Sequence, residues 1–411
     1  MRASLRELRP ALAILVGTSV MLSVAMGLRQ SLGLFMPHMT DDLSISVSDF
    51  TVAIAVQNLA WGFLQPIAGA LTVRFGFRVI MLVGTVLYIA GLAVLAAANG
   101  MVMVVLGAGV LIGVALACTA SAIAMSVAAR TASPRLRSMV FGIVSAAGSV
   151  GAAIAAPLGQ FLNTDFGWRY GVMGFVVLAC VMVPAAWFAG RADAIVLPPP
   201  AAGSVDGGSA GQAFMAAIRS LPFMVMAVAY CVCGMQLVFL TTHLPSYLAL
   251  CGMDPMLGAQ ALGVIGAANI VGSLFFGWAG GRWNKLVLLG LIYLVRSVVL
   301  AVYFIAPPTP AGTLVFAALM GLTWLGVAPL VAGAVAELFG LRWQAMIQGI
   351  AFVAHQLGSF AGAFGGGVLF DLSGNYDLAW RLGVATGLVA GAVQISIALF
   401  RPSKPPRLAV A

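Results

Sequence analysis

Charged side chains are scarce in this sequence. Of its 411 residues only 8% are Asp, Glu, Lys or Arg, whereas 62% are hydrophobic, and the mean hydropathy is +1.09. A soluble domain usually carries about 25% charged residues. A chain with so few charges cannot cover a water-facing surface. The composition therefore excludes an ordinary soluble domain and predicts a protein whose partner is the lipid bilayer.

Cysteines and chemical motifs are also few. The five cysteines lie in or beside apolar runs, and Cys231-x-Cys233 lacks the spacing of zinc ligands, so we interpret all five as small core residues. No Gly-x-x-x-x-Gly-Lys loop occurs, which argues against an ATPase. We predict no cofactor and no metal. Although the net charge is +9, the positive residues form no contiguous patch, so a nucleic-acid partner is not expected.

Long apolar runs are abundant. A membrane-spanning helix needs about 20 apolar residues, and each run approaches or exceeds this length. The candidate spans cover residues 11–36, 50–72, 79–98, 101–128, 138–162, 170–190, 222–250, 257–280, 285–305, 311–336, 346–370 and 378–400. The first run is too long for a signal peptide, and we interpret it as a retained helix. The predicted fold class is an all-α polytopic membrane protein with twelve transmembrane helices.

A linker divides these helices into two sets of six. Residues 191–220 contain Pro198-Pro199-Pro200 and Gly207-Gly208-Ser209, a composition typical of linkers and too poor in large apolar residues to pack a core. We therefore predict an N-terminal six-helix bundle over 1–190, a cytoplasmic linker over 191–220 and a C-terminal six-helix bundle over 221–411.

The basic residues predict the orientation in the membrane, because cytoplasmic loops are enriched in Lys and Arg. If the N-terminus is cytoplasmic and every helix crosses, the outer loops hold only Arg169 and Arg381 of the 20 basic residues. The cytoplasmic side then holds Arg2, Arg6, Arg9, Arg74, Arg78, Arg130, Arg135, Arg137, Arg191, Arg219, Arg282, Lys285, Arg342, Arg401, Lys404 and Arg407. This asymmetry predicts a multi-pass protein of the inner (plasma) membrane with both termini cytoplasmic.

The two halves of the chain resemble each other. Gly69 matches Gly277 at an offset of 208, and the Trp-Arg-x-Gly-Val motif at Trp168 matches a second copy at Trp380 at an offset of 212. Matches in order, at about half the chain length, indicate an internal duplication. Alternating-access transporters are built from such repeats, with the substrate site near the bilayer midplane.

The loop after the second span resembles a superfamily signature. It contains Gly69, Arg74, Gly76 and Arg78 in the glycine, basic, glycine, arginine pattern of the major facilitator superfamily, with Val73 where an acidic residue is usual. The resemblance extends over essentially the whole chain. It implies two pseudo-symmetric six-helix bundles and transport of a small molecule rather than an enzymatic activity.

Within that superfamily the chain most resembles the monocarboxylate transporters and oxalate–formate antiporters. The matching segments are residues 30–35, 156–160 and 166–169, which read QSLGLF, APLGQ and FGWR. Animal monocarboxylate carriers place an acid and an arginine on the eighth span, where this chain has Asn269 and Ser273. The substrate anchor of those carriers is therefore not expected on this helix.

Two cations and no acid fall within the predicted spans. All eleven Asp and Glu residues lie at or beyond span ends, whereas Arg29 lies in the outer half of the first span and Arg296 near the middle of the ninth. A charge at the bilayer centre costs roughly 3 kcal/mol and normally meets a partner. An anionic substrate is one such partner. The alternatives are that Arg29 extends to the outer surface and that Arg296 bonds backbone carbonyls.

Histidines are the side chains that can change charge within these spans near neutral pH. We consider His243 and His355 as candidates for substrate binding and proton coupling, and the resemblance implies that the helix of His355 supplies a cationic side chain in oxalate–formate antiporters. Both could instead be neutral and satisfied by backbone or helix contacts. The other candidate substrate-binding residues, each of which could equally form interhelical hydrogen bonds, are Gln30, Asn58, Thr119, Gln236, Asn269 and Gln356.

Three classes of function were weighed. The favoured one is a monomeric secondary transporter of a small organic anion, a monocarboxylate or dicarboxylate, that works by proton symport or anion exchange. The second is an exporter of neutral or amphipathic compounds. The third, a receptor or membrane enzyme, is disfavoured because the sequence shows no nucleophile–base pair, metal cluster or soluble signalling domain.

Overall fold

The structure is a computed structural model that describes residues 9–200, 203–305 and 307–400. Of the basic residues used to predict orientation, Arg2, Arg6, Arg401, Lys404 and Arg407 lie outside these ranges. The chain divides into two compact units. The first comprises Met1–Pro199 with Leu341–Gly349, and the second comprises Pro200–Gly340 with Ile350–Ala411.

Nine α-helices lie wholly within the first unit over the residues that the structure describes. They are α1 (Leu12–Ser31), α2 (Met36–Leu43), α3 (Val47–Ala96), α4 (Met101–Val104), α5 (Ile112–Thr119), α6 (Ser121–Thr131), α7 (Arg137–Phe166), α8 (Trp168–Cys180) and α9 (Met182–Ala189). A short 3₁₀ segment, Leu32–Phe35, joins α1 to α2, and a π-helical segment, Val105–Leu111, joins α4 to α5. A capping box between Ser46 and Asp49 starts α3 by satisfying backbone N–H groups at its N-terminus.

Helix α3 contains two membrane crossings. It is 50 residues long and is interrupted at Gly76, whose φ of 84° favours a residue without a Cβ. The Asp193 carboxylate accepts hydrogen bonds from the backbone N–H groups of Phe77 and Arg78, at 2.7 and 3.0 Å. It thereby caps the helical segment of α3 that follows Gly76. The signature loop recognised in the sequence is therefore a sharp turn between two helices.

The remaining α-helices of the described ranges belong to the second unit, except that the first turns of the helix that begins at Gln344, up to Gly349, belong to the first. They are α10 (Ala210–Arg219), α11 (Leu221–Leu250), α12 (Pro255–Gly280), α13 (Lys285–Ile305), α14 (Pro310–Trp324), α15 (Val327–Phe339), α16 (Gln344–Ser373) and α17 (Asp377–Phe400). Helix α10 lies within the predicted linker. Linker composition did not indicate it, but a capping box between Ser209 and Gln212 starts it, and Ala213 and Ala217 are buried on one face.

Twelve crossings follow from these helices. Ten helical segments within the described ranges are long and apolar enough to cross a membrane, and one of them, Asp49–Ala96, spans the interruption at Gly76 and supplies two. The twelfth is α16, which is 30 residues long but less apolar. An all-α membrane fold was predicted, and it is confirmed.

The fourth and tenth crossings are discontinuous. Ala120, with φ −86° and ψ −159°, is extended and separates α5 from α6 in the first unit. In the second unit, Leu325 and Gly326 separate α14 from α15. Lipid cannot hydrogen-bond the backbone groups that a helix break releases, so neighbouring helices must supply partners. These two breaks determine the role of several polar side chains.

Candidate functional site

Arg29 lies near the C-terminal end of α1. Its Nη2 donates a hydrogen bond to Asn58 Oδ1 at 2.5 Å, and its Cζ lies 5.0 Å from the centre of the Trp61 ring. Both partners are neutral and stand one turn apart on α3. Within the described ranges the two ion pairs join Arg169 to Asp42 and Lys285 to Glu337, and neither involves Arg29. The Arg29 guanidinium thus has polar and aromatic contacts but no fixed anion among the described residues.

Trp61 links this guanidinium to the break in the fourth crossing. The Trp61 indole donates to Gln65 Oε1 at 2.9 Å, and Gln65 Nε2 donates to the Ala117 carbonyl at 2.8 Å. In an unbroken helix that carbonyl would accept from the backbone of Ser121. Gln65 therefore satisfies a carbonyl beside the break and at the same time orients the ring under Arg29.

Sequence reasoning did not single out Trp61 or Gln65. The available signal was their spacing from Asn58, because residues 58, 61 and 65 follow a helical repeat on one face of a span. Tyr88 was also missed. It is fully buried, and its hydroxyl donates to the Ala25 carbonyl at 2.8 Å, which ties α3 to α1 one turn before Arg29.

Two other candidates in the first unit do not join this cluster through the contacts described here. Gln30 is exposed. Thr119 is fully buried, and its hydroxyl donates to the Ala115 carbonyl of its own helix at 2.7 Å. Of the residues predicted in this unit, the structure brings Arg29 and Asn58 together.

Arg296 and Asn269 brace the break in the tenth crossing. Arg296 is fully buried, and its guanidinium donates to the carbonyls of Thr323 at 2.5 Å and Trp324 at 3.4 Å, as well as to a cysteine sulfur at 3.2 Å. Asn269 Oδ1 accepts from the backbone N–H of Leu325 at 2.8 Å. For Arg296 these contacts match the alternative in which its guanidinium bonds backbone carbonyls.

His243 has a hydrogen-bond partner at each ring nitrogen. Its Nε2 lies 2.9 Å from the Ala363 carbonyl and its Nδ1 lies 3.2 Å from the Tyr376 hydroxyl. A carbonyl can only accept, so Nε2 carries the hydrogen, and Nδ1 is paired with the tyrosine hydroxyl. The ring thereby connects α11 to α16 and to the turn before α17.

His355 has polar and aromatic neighbours on its own helix and on α11. Its Nδ1 lies 3.4 Å from both Gln356 Oε1 and Ser359 Oγ, near the outer limit of a hydrogen bond. Two rings surround the imidazole: Tyr230 with a centroid separation of 4.5 Å, and Phe352, stacked at 5.4 Å.

Gln236 lies in the middle of the second unit. Its Nε2 donates to Ser297 Oγ at 3.2 Å and to the Gly383 carbonyl at 2.8 Å. These bonds connect α11 to α13 and α17, so they are interhelical hydrogen bonds, the alternative role that the sequence analysis gave for Gln236.

We expect Arg296→Met to destabilise the fold, because the carbonyls of Thr323 and Trp324 would lose their donor. Each buried group left unsatisfied costs about 1–3 kcal/mol. The check is the thermal unfolding of the purified protein, with Arg381→Met, at an exposed position, as the control. Equal melting temperatures for the two variants would contradict a bracing role.

The chain is similar to known proteins both in sequence and in structure. The model of the Major Facilitator Superfamily matches residues 18–363. Monocarboxylate transporter 13 of Bos taurus is 26% identical over 85% of this chain and 79% of its own length. Monocarboxylate transporter 11 of Homo sapiens is 27% identical over 92% of this chain and 81% of its own length. Among solved structures, the E. coli fucose:proton symporter superposes with a TM-score of 0.70 at 14% identity, over 93% of this chain and 98% of the symporter.

Proposed function

The chain belongs to the Major Facilitator Superfamily, and from this premise we propose that it is a secondary active transporter of a small organic anion, a monocarboxylate or dicarboxylate. Its class, a multi-pass membrane transporter of small molecules, follows from the family and from the twelve crossings. The proposed mechanism is alternating access with proton symport or anion exchange. Residues 1–190 and 221–411 are the proposed moving bundles, residues 191–220 their link, and a monomer the working unit.

The observation that carries the proposal is the guanidinium of Arg29. Asn58 and Trp61 orient it without neutralising it, and a lone charge within the membrane costs roughly 3 kcal/mol. A substrate carboxylate would offset this cost through charge-assisted hydrogen bonds. Arg296 does not serve this purpose in the proposal, because backbone carbonyls occupy its guanidinium.

The relatives support the same substrate class. Two of them are named monocarboxylate transporters, at identities of 26% and 27%. The sugar symporter shares the fold at an identity of 14%, and supports no particular substrate. The substrate proposal therefore depends on the charge of Arg29 and on the names of these relatives together.

Replacement of the proposed anchor gives the main test. We expect Arg29→Gln to raise KM about 10- to 100-fold for uptake of labelled lactate, pyruvate or oxalate into proteoliposomes, because a hydrogen bond to a charged group contributes about 1.5–3 kcal/mol. Arg29→Lys keeps the charge and should retain more of the uptake. Wild-type kinetics in a folded Arg29→Gln protein would refute the anchor.

Two glutamines on α3 provide a matched pair for the same assay. Gln65 and Gln57 are both buried, and each donates to a carbonyl of the fourth crossing, at 2.8 and 2.6 Å. Gln65 also holds Trp61. Gln65→Leu should therefore raise KM, whereas Gln57→Leu should lower thermal stability with KM unchanged. An equal rise in both would mean that general loosening of the unit, and not the orientation of Trp61, affects binding.

Proton coupling is assigned in the proposal to His355. Two aromatic rings surround its imidazole, whereas both nitrogens of His243 have hydrogen-bond partners on other elements. We expect His355→Gln to abolish the stimulation of uptake by a pH gradient, because glutamine cannot change charge near neutral pH. Equilibrium exchange of labelled substrate should persist. His243→Gln is the control; loss of the pH response in that variant instead would contradict the assignment.

The proposed orientation places both termini in the cytoplasm of a cell whose inner (plasma) membrane holds the protein. Cys251 is exposed and follows α11 directly, so it should lie on the outer face. A membrane-impermeant maleimide should then label intact cells at Cys251, and Cys251→Ser should remove that label. Labelling that requires permeabilised cells would reverse the orientation.

A further inference from the structure

The second unit contains a cavity that the transport proposal does not use. Its volume is about 170 Å³, and helices α11, α16 and α17, with one residue of α13, line it. Its walls are mainly apolar side chains, such as Phe239, Leu300 and Leu369, and glycine backbone. None of the described residues that line it is charged.

Two polar groups of this lining have no hydrogen-bond partner. They are the acceptor Gln236 Oε1 and the donor Trp380 Nε1, and the two residues are 3% and 2% exposed. The amide of Gln236 is bonded to the Gly383 carbonyl, one helical turn beyond Trp380 on α17. The unpaired acceptor and the unpaired donor thus belong to neighbouring positions of one small cavity. Buried polar groups are normally paired, so such a combination needs an explanation.

The first unit provides an internal comparison. Trp168 occupies the matching position of the repeated Trp-Arg-x-Gly-Val motif, and its indole N–H donates to Asp42 at 3.1 Å. The tryptophan of this motif is therefore paired within the protein in one unit and unpaired beside a cavity in the other. The difference is not a property of the motif and arises from what surrounds Trp380.

We propose that this cavity binds a small uncharged molecule that joins a short apolar chain to an undissociated carboxyl or carboxamide group. Such a group offers an O–H or N–H donor, which fits Gln236 Oε1, and a carbonyl acceptor, which fits Trp380 Nε1. The apolar walls fit the chain. A carboxylate is excluded because it has no donor and because no described charge of the lining would offset its burial. This site is separate from Arg29 and does not rest on the transport proposal.

Binding can be measured on the full-length protein in lipid nanodiscs. Pentanamide is the probe, because it is uncharged at every pH, and pentanoate at pH 7.4 is its ionised counterpart. We expect pentanamide to bind saturably and to raise the melting temperature of the protein. Pentanoate should do neither. Pentanoic acid should begin to bind as the pH falls toward the pKa of the acid. Equal behaviour of pentanamide and pentanoate at pH 7.4 would overturn the proposal.

Two neighbouring glycines provide a matched pair of substitutions, one of which should fill the cavity while the other leaves it open. A Cβ at Gly365 or at Gly367 would meet no atom within 4 Å, and Gly365 lines the cavity whereas Gly367 does not. Gly365→Leu should therefore abolish pentanamide binding, and Gly367→Leu should leave it unchanged. Binding that survives Gly365→Leu would place the ligand elsewhere and refute the site.

The substitution Trp380→Phe removes the unpaired N–H donor and keeps an aromatic ring at this position. Trp380→Phe should weaken pentanamide binding about tenfold, the equivalent of one hydrogen bond. The variant loses no hydrogen bond within the protein, so without ligand its melting temperature should fall only by the packing lost with the smaller ring. Trp168→Phe, which breaks a satisfied bond to Asp42, should melt lower and bind normally. Unchanged affinity in Trp380→Phe would contradict the assigned contact.

Discussion

The requirement that every backbone polar group find a partner inside the protein governs this molecule. Lipid offers no hydrogen bonds, so a continuous helix is the simplest way to cross it. Several crossings are interrupted, and at two of the interruptions, at Ala120 in the first unit and at Leu325 and Gly326 in the second, polar side chains bond the backbone. At each of these breaks, side chains of neighbouring helices bond the released backbone groups: Gln65 in the first unit, and Asn269 and Arg296 in the second.

The two breaks are braced by different chemistry. In the first unit a neutral amide, Gln65, bonds the Ala117 carbonyl and leaves Arg29 with no fixed anion among the described residues. In the second unit Arg296 itself bonds the carbonyls of Thr323 and Trp324. Two arginines of similar appearance in the sequence therefore have different roles: one braces a broken helix, and the other is the proposed anchor for a substrate.

Residues that the sequence repeat aligns also have different partners in the two units. The repeated tryptophan is bonded to Asp42 in the first unit and unpaired beside a cavity in the second. Gln236 and His243 contribute polar groups to the interior of the second unit. A shared scaffold has thus kept its helices while the polar groups at matching positions acquired different partners.

The amino-acid sequence by itself determined the class of the protein and the number of its crossings. The reason is that a span must be about 20 residues long and apolar, which is a local property that can be read along the chain. It also indicated the duplication and the scarcity of acids within the spans. It did not indicate α10, because a capping box and two small buried residues are a weak signal within a linker.

Only the tertiary structure decided what each polar residue contacts. Arg29 and Arg296 are both isolated cations in apolar runs, and nothing local distinguishes them. The distinction depends on atoms far away in the chain: Asn58 for Arg29, and the carbonyls of Thr323 and Trp324 for Arg296. Hydrogen-bond partners in a helical membrane protein come from neighbouring helices, and their identity is a property of packing that a linear pattern does not contain.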